Sequence, residues 1–209
     1  MGDGQPNVLV IQPDQHRGTI MGCAGDTQVQ TPNLDTLAGQ GIRFSHTASS
    51  SPVCSPFRGT MQTGLYPHKH GVVGNNILLD PELTSFAEVF AEAGYATGYI
   101  GKWHLDGGIP EGGFIASGPR RQDWQEWHAH EKGHSFFDVW TFDDRGNKVH
   151  FEDYDWEPTW HTDMALDFAR RHRDADTPWL FYLGYGPPHK PEQCPDRFLD
   201  MYDIDEFEL

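Results

Sequence analysis

The chain has 209 residues, 15 of them basic and 31 acidic, so its formal net charge is −16. So acidic a surface repels phosphate groups, and we expect neither nucleic acid nor an anionic membrane as a partner. Apolar residues at 37% and aromatic residues at 13% are enough for a core, which argues against general disorder. The sequence shows no apolar run of membrane-spanning length and no signal peptide, and we therefore expect a cytoplasmic protein.

The first predicted elements are a strand, a helix and a second strand. Residues 7–12 form a short, β-branched apolar run that Pro13 stops, which is typical of a buried strand. A helix is predicted over 32–40, with Thr31 in position to cap its first turn. We expect a further short strand over 42–48.

Two helices and a strand are predicted next. The first helix covers 56–63, with a glycine directly after it. Ser85 and Glu88 have the spacing of a capping box, which predicts a second helix that ends near residue 93. The apolar run over 95–100 is typical of another buried strand.

The second half of the chain has less regular patterns. Residues 101–157 are rich in Gly, Trp, His and charge, and we interpret them as a long functional excursion. Weak strand signals occur within it over 136–142 and 148–151. One apolar face predicts a helix over 159–172, and a continuous apolar run predicts a strand over 179–185.

Near-continuous apolar strands that alternate with helices indicate an α/β fold with a mostly parallel sheet and helices on both faces. Ligands of such sheets bind beyond the carboxyl ends of the strands. Asp14 follows the first strand, Lys102 and His104 follow the strand over 95–100, and His189 follows the last strand. We therefore expect these four side chains at one edge of the sheet.

The most specific local pattern is Cys54-Ser-Pro-Phe-Arg58. Because Pro56 suits the first turn of a helix, Cys54 is expected near the helix N-terminus, where free N–H groups favour an anion. Arg58 lies one turn later and can pair with an oxyanion at that site. Spacing alone leaves open an alternative, in which a buried cysteine lies beside a surface arginine.

This pattern resembles the first sequence motif of the sulfatase family, within the alkaline-phosphatase-like superfamily. A second motif of that family is matched by the segment from Gly94 to His104. The resemblance extends from about Pro6 to about Pro191. Four flanking segments agree with the family as well: Pro6-Asn-Val-Leu-Val-Ile11, Thr31-Pro-Asn-Leu-Asp35, Thr63-Gly-Leu-Tyr-Pro-His68 and Pro187-Pro-His-Lys-Pro191.

The resemblance implies hydrolysis of a sulfate monoester of a small molecule or a sugar. A formylglycine-generating enzyme would oxidise Cys54 to formylglycine, whose hydrated aldehyde attacks sulfur and later releases sulfate by elimination. A divalent cation, Ca²⁺ in this family, would lower the pKa of that nucleophile and balance the sulfate charge. Asp14, residue 54 and, as a weaker candidate, Gln15 would be its ligands.

The same resemblance implies roles for four more side chains. Arg58 would hold the hydrated formylglycine and the metal-bound carboxylates, and Lys102 would bridge the nucleophile and a sulfate oxygen. His104 would be the base for elimination. His189 would lie on the side of the leaving group and stabilise or protonate the departing oxygen.

The sequence departs from the family pattern in two ways. Gln15 stands where many relatives have a second aspartate, and no strand after Pro191 ends in Asp-His or Asp-Asn. We therefore expect residues 1–209 to be the N-terminal part of a sulfatase-like catalytic domain. Two alternatives stay open: a phosphonate or phosphate ester hydrolase on the same scaffold, or an inactive metal-binding fragment.

Two further groups in the excursion are ambiguous. His128 and His130 have metal-like spacing but no Cys or Asp partner in pattern, and we expect a solvated or substrate-facing loop there instead of zinc. Trp124, Trp127 and Trp140 can form a platform for a sugar or pack in the core.

Overall fold

The computed structural model describes residues 4–108 and 113–207. Within these ranges the chain forms an α/β fold with one main sheet and a separate hairpin. The strands are β1 (Val8–Pro13), β2 (Ala96–Lys102), β3 (Glu126–His130), β4 (Trp140–Phe142), β5 (Lys148–His150) and β6 (Trp179–Tyr185). The helices are α1 (Pro32–Gln40), α2 (Cys54–Thr63), α3 (Pro67–His70), α4 (Phe86–Glu92), α5 (Glu157–Arg171) and α6 (Asp196–Leu199). Three short 3₁₀ turns cover Gly22–Ala24, Pro119–Arg121 and Ile204–Glu206.

The main sheet has the order β1-β6-β2-β3, and all its neighbouring strands are parallel. The last strand in the chain, β6, therefore lies between the first two. Strands β4 and β5 form the antiparallel hairpin. The predicted parallel sheet is confirmed.

The register of the sheet aligns the carboxyl ends of its strands. Pro13 of β1 pairs with Tyr185 of β6, and Lys102 of β2 pairs with His130 of β3. Residues that directly follow these strands therefore meet at one edge, as parallel topology requires.

Helices cover both faces of the sheet, as the sequence pattern predicts. Because side chains alternate along a strand, Tyr182 packs on one face and its neighbours Phe181 and Leu183 on the other. The Tyr182 face carries aromatic residues of α4, and the opposite face is packed by Trp160 and Phe168 of α5.

Most predicted elements are confirmed, with shifted ends. Helix α2 begins two residues earlier than predicted, and β2 extends two residues further, to Lys102. The capping box is present, because the N–H of Glu88 donates to the Ser85 side chain at 3.1 Å. Thr31 precedes α1 but does not cap it: its Oγ1 accepts from the N–H of Gly22 at 2.8 Å instead.

One strand prediction is wrong, and one strand of the main sheet was not predicted. Residues 42–48 form no strand, and Ile42 and Phe44 are 86% and 80% exposed. No described strand pairs with that segment, so its apolar residues stay in solvent. Conversely, the excursion contains β3, a strand of the main sheet. Its sequence, Glu-Trp-His-Ala-His, has too few β-branched residues to stand out as a strand.

No helix in the described part of the chain has the length and apolar character needed to cross a membrane.

Candidate active site

Asp14 lies at the carboxyl edge of the sheet, directly after β1. Its N–H continues the ladder by donating to the carbonyl of Tyr185 at 3.0 Å, and this bond fixes the start of the side chain. The carboxylate is buried, and its Oδ2 accepts from Lys102 Nζ at 2.8 Å and from Arg58 Nη2 at 3.2 Å. One carboxylate oxygen therefore accepts hydrogen bonds from two cationic side chains, Lys102 of β2 and Arg58 of α2.

Cys54 and Arg58 share the first turn and a half of α2. Cys54 is the first residue of the helix and is half-buried, with Lys102 Nζ 3.7 Å from its Sγ. Arg58 is 2% exposed and donates to the backbone carbonyl of Lys102. The alternative of a surface arginine beside Cys54 is therefore wrong, because this guanidinium is part of the core of the site.

Tyr99 contacts Arg58 and Lys102 of the site, although the sequence motifs do not single it out. Its hydroxyl donates to the Lys102 carbonyl at 2.7 Å and lies 3.4 Å from Arg58 Nη1. Its ring stacks on Tyr182 with centroids 4.7 Å apart. Burial raises the pKa of Tyr99 to about 12. The sequence signal that could have identified Tyr99 is its place within a predicted buried strand, because a buried hydroxyl needs a polar partner.

The charges of the site favour an anion. Burial acts to raise the pKa of Asp14, but Arg58 and Lys102 outweigh it, and the pKa lies below its usual range. Asp14 is therefore ionised at neutral pH. The cations of Arg58 and Lys102 and the one carboxylate of Asp14 sum to 2 − 1 = +1, an excess of one positive charge. A buried positive excess beside a cysteine at a helix N-terminus is suited to an anionic group.

His104 is buried and has an unusual backbone. Its φ is +58°, a left-handed conformation that costs a residue with a side chain about 1 kcal/mol or more. It is 5% exposed, and neither ring nitrogen has a hydrogen-bond partner among the described residues. Burial, together with the charges of Lys102 and Arg58, lowers the pKa of His104 to about 3. The ring is therefore neutral and able to accept a proton.

His189 joins the cluster from the loop after β6. One atom each of Asp14, Cys54 and His189 lie within 4.8 Å of one another. The Nδ1 of His189 is 2.7 Å from the carbonyl of Lys190, so Nδ1 carries the hydrogen and Nε2 is left for a ligand. Gln15 is exposed and has a left-handed backbone, with φ of +58°.

The donor set fits part of a calcium site. Asp14 supplies a hard oxygen, and residue 54 supplies a second one only if its sulfur is replaced by oxygen. His189 adds a nitrogen, which calcium does not favour. Asp14 is the one acidic residue in the three-residue group that the described chain brings together. A calcium ion therefore needs further carboxylates besides these residues.

The ambiguous residues of the excursion are largely structural. His130 is buried on β3, so the predicted solvated loop is wrong. Trp124 and Trp127 pack with the core around Tyr99. Trp140 lines a polar cavity of about 150 Å³ and has Lys148 Nζ 3.9 Å from its ring centroid.

These observations define a class of protein: an α/β fold whose sheet edge places a helix-terminal cysteine among buried cations that suit an anion. The sulfatase family model matches residues 6–206 of this chain, and the chain belongs to the sulfatase family. The expected resemblance is confirmed.

Relatives match nearly all of this chain. An ulvan-active sulfatase of Formosa agariphila is 35% identical over 199 residues, which are 95% of this chain and 38% of that protein. The uncharacterized sulfatase YidJ of Escherichia coli is 31% identical, with 98% and 43% covered. The chain thus spans less than half the length of these curated relatives, and it corresponds to their N-terminal portion.

Solved structures agree with the fold. A putative sulfatase of Bacteroides fragilis superimposes with a TM-score of 0.87 at 29% identity, covering 98% of this chain and 49% of that one. Another structure, solved in complex with its substrate D-glucosamine-2-N,6-O-disulfate, has a TM-score of 0.78 at 25% identity, with 94% and 37% covered. These neighbours have the alkaline-phosphatase-like fold, which confirms the predicted fold class.

Proposed function

We propose that the protein hydrolyses a sulfate monoester at the site formed by Asp14, Cys54, Arg58, Lys102 and His189. One observation carries the proposal: two buried cations converge on Asp14 beside a cysteine at the first residue of a helix. A sulfate group bound there would meet the ammonium of Lys102 and the N-terminus of α2, which both stabilise negative charge. Membership of the sulfatase family supports the same reaction.

The proposal includes conversion of Cys54 to formylglycine by a formylglycine-generating enzyme. In that conversion the β-carbon is oxidised by two electrons, from the thiol to the aldehyde. The C–S bond breaks, oxygen takes the place of sulfur, the sulfur leaves as hydrogen sulfide, and an external oxidant that the modifying enzyme uses accepts the electrons. The modified residue, when hydrated, supplies the oxygen nucleophile. Cys54 lies in an intact Cys-x-Pro-x-Arg motif, which supports this assignment. Its position at the start of α2, with Lys102 near Sγ, favours a nucleophile that carries negative charge.

The surrounding residues would have separate roles. Arg58 holds Asp14 in place and adds a buried positive charge to the site. Lys102 lies between Asp14 and residue 54, where its ammonium can bind a sulfate oxygen. His104 accepts a proton in its neutral form. Its low pKa results in part from Lys102 and Arg58, so the charge of a bound sulfate would raise that pKa and strengthen the base.

His189 would assist the leaving group. Since its Nδ1 donates to the Lys190 carbonyl, Nε2 is the nitrogen left to carry a proton for the departing oxygen, and the ring belongs to the same cluster as Asp14 and Cys54. That N–H can be donated to the departing oxygen. An alkyl or sugar alcohol would depend on this proton more than an acidic phenol does.

Calcium is part of the proposal, with Asp14, residue 54 and Gln15 as the ligands from this chain. The bound ion would balance the sulfate charge and lower the pKa of the nucleophile. For the substrate, we propose a sulfated sugar or small molecule. The support comes from relatives: one was solved with a sulfated glucosamine as its substrate, and another is described as ulvan-active.

The test uses the protein in its full natural length, expressed together with a formylglycine-generating enzyme. We expect kcat/KM for an aryl sulfate to exceed that for the matching aryl phosphate. A reversed preference would instead support the phosphate or phosphonate ester hydrolase. Mass spectrometry of the peptide with Cys54 should show a loss of about 18 Da, whereas the competing thiol oxidations add mass.

Cys23 provides the matched control, because it is also a half-buried free cysteine. Cys54→Ala should abolish hydrolysis, and Cys23→Ala should leave both the activity and the mass loss at Cys54 unchanged. Full sulfatase activity with an unmodified Cys54 thiol would refute the proposed nucleophile.

A further inference from the structure

The segment after β2 holds His104 in a strained position. A left-handed backbone at a buried residue with a side chain persists only where the surrounding structure imposes it. The ring nitrogens of His104 have no hydrogen-bond partner among the described residues, so its own side chain does not fix the ring. The neighbouring residues must therefore determine its orientation.

The end of β3 holds the chain on both sides of His104. Before it, the N–H of Trp103 donates to the carbonyl of His130 at 2.8 Å. After it, the N–H of Asp106 donates to Glu131 Oε2 at 3.0 Å. The first contact is backbone to backbone, but the second depends on one side chain. Glu131 is thus the side chain through which β3 holds the segment that follows His104.

Glu131 is 0% exposed, which is unusual for a carboxyl group. Burial and the neighbouring carboxylate of Asp106 raise its pKa, against the backbone amides of Asp106, Leu105 and Gly108, which act to lower it. Its Oε2 accepts from the N–H of Asp106, whereas its Oε1 has no hydrogen-bond partner among the described residues. In either protonation state the group keeps an oxygen that can accept from the N–H of Asp106.

We propose that Glu131 is a positioning residue for His104: its carboxyl group fixes the backbone at Asp106, two residues after His104, and thereby aims the His104 imidazole at the site. This inference rests on the proposed function for the role of His104. The required feature is a hydrogen-bond acceptor at this place and not a negative charge. Glu131→Gln should therefore preserve the position of His104, whereas Glu131→Ala should not.

The kinetic test uses the full-length modified protein and an aryl sulfate. Glu131→Ala should lower kcat by up to about 10²-fold, the effect of a catalytic group misplaced by about 1 Å, with little change in KM. Glu131→Gln should keep most of the activity. Glu126→Ala is the matched control, because Glu126 begins β3, the strand that Glu131 directly follows, but pairs with Arg171 at the surface. That control should leave kcat unchanged.

The double variant separates positioning from a general loss of structure. His104→Ala should lower kcat by about 10²–10⁴-fold. If Glu131 acts through His104, adding Glu131→Ala should cause no further loss. Losses that multiply in the double variant would overturn the proposal. If His104→Ala leaves kcat unchanged, the proposed function of His104 fails instead.

Amide hydrogen exchange gives a readout independent of activity. Residues 103–108 should exchange faster in Glu131→Ala than in the wild type, and at the wild-type rate in Glu131→Gln. Exchange over β6 should be unchanged in both variants, which shows that the sheet is intact. Unchanged exchange over 103–108 in Glu131→Ala would refute the positioning role, whatever the reaction of the enzyme.

Discussion

Asp14 is the residue on which the electrostatics of the site depend. Its carboxylate is the shared partner of Arg58 and Lys102, and all three side chains are at least nine-tenths buried. Buried ions need partners, because desolvation costs several kcal/mol for each uncompensated charge. A substitution that removes only the carboxylate therefore leaves two buried cations close together.

We predict that Asp14→Asn destabilises the protein by about 3–5 kcal/mol at neutral pH, as expected when one partner of a buried ion pair is lost. The direction in which the free energy of unfolding changes with pH follows from the lowered pKa of Asp14. The stabilisation is fully present above the unfolded-state pKa of about 3.9 and is lost as pH falls through the folded-state value. Urea unfolding at several pH values measures it.

Asp155 is a suitable control for this experiment. It pairs with Arg197 at the surface, where solvent screens the interaction. Asp155→Asn should therefore change stability far less than Asp14→Asn. Equal effects of the two substitutions would contradict the assigned role of Asp14.

A second prediction at this scale concerns the protonation state of His104. Because burial and the charges of Lys102 and Arg58 lower its pKa to about 3, its ring should stay neutral at every pH between 5 and 8. Its ¹⁵N chemical shifts in NMR should therefore be constant over that range. A midpoint near 6.5, the value of a free histidine, would show that the ring is not held in this environment.

At the scale of elements, the site depends on how closely β2 approaches β6. Gly101 pairs with Gly184 and has a φ of +101°, which a residue with a side chain rarely adopts. A β-carbon at Gly101 would also overlap the carbonyl oxygen of Gly184. This glycine therefore lets the strand end place Lys102 beside Asp14.

Gly101→Ala should destabilise the protein by at least about 3 kcal/mol, the sum of left-handed strain and a clash with backbone. Gly64→Ala is the matched control. Gly64 ends α2 with a φ of +70°, but a β-carbon there meets no atom within 4 Å. Its cost should be strain alone, about 1–2 kcal/mol. Denaturant unfolding compares the two, and equal costs would exclude a close approach of β2 and β6.

At the scale of the whole molecule, the net charge and the site have opposite signs. The chain carries −16, whereas the buried cluster of Asp14, Arg58 and Lys102 has one positive charge in excess. An anion is attracted by the site and a dication is not, unless more carboxylates are near. The relatives are more than twice as long as the part that this chain matches.

We therefore predict that residues 1–209 alone bind Ca²⁺ at this site with a Kd weaker than about 1 mM, the upper end of natural calcium sites. Isothermal titration calorimetry of the wild type and Asp14→Asn isolates the site from binding to the acidic surface, because only the site contains Asp14. Micromolar binding that Asp14→Asn removes would show that these residues suffice for a calcium site.

The sequence by itself predicted the local elements and which residues come to the sheet edge. Capping signals and apolar runs depend on neighbours in the chain. The predicted cap at Ser85, helix α5 and strand β6 therefore agree with the structure to within a few residues. Asp14 and Lys102 were expected together because parallel strands end at the same edge, and the geometry agrees.

Contacts between distant segments were decided only by the tertiary structure. Residues 42–48 have the composition of a strand but find no partner, whereas β3 lacks that composition and pairs with β2. The burial of Arg58 and the contact of Glu131 with Asp106 likewise join segments 25 or more residues apart. Such contacts depend on the order of strands in space, which local propensity does not encode.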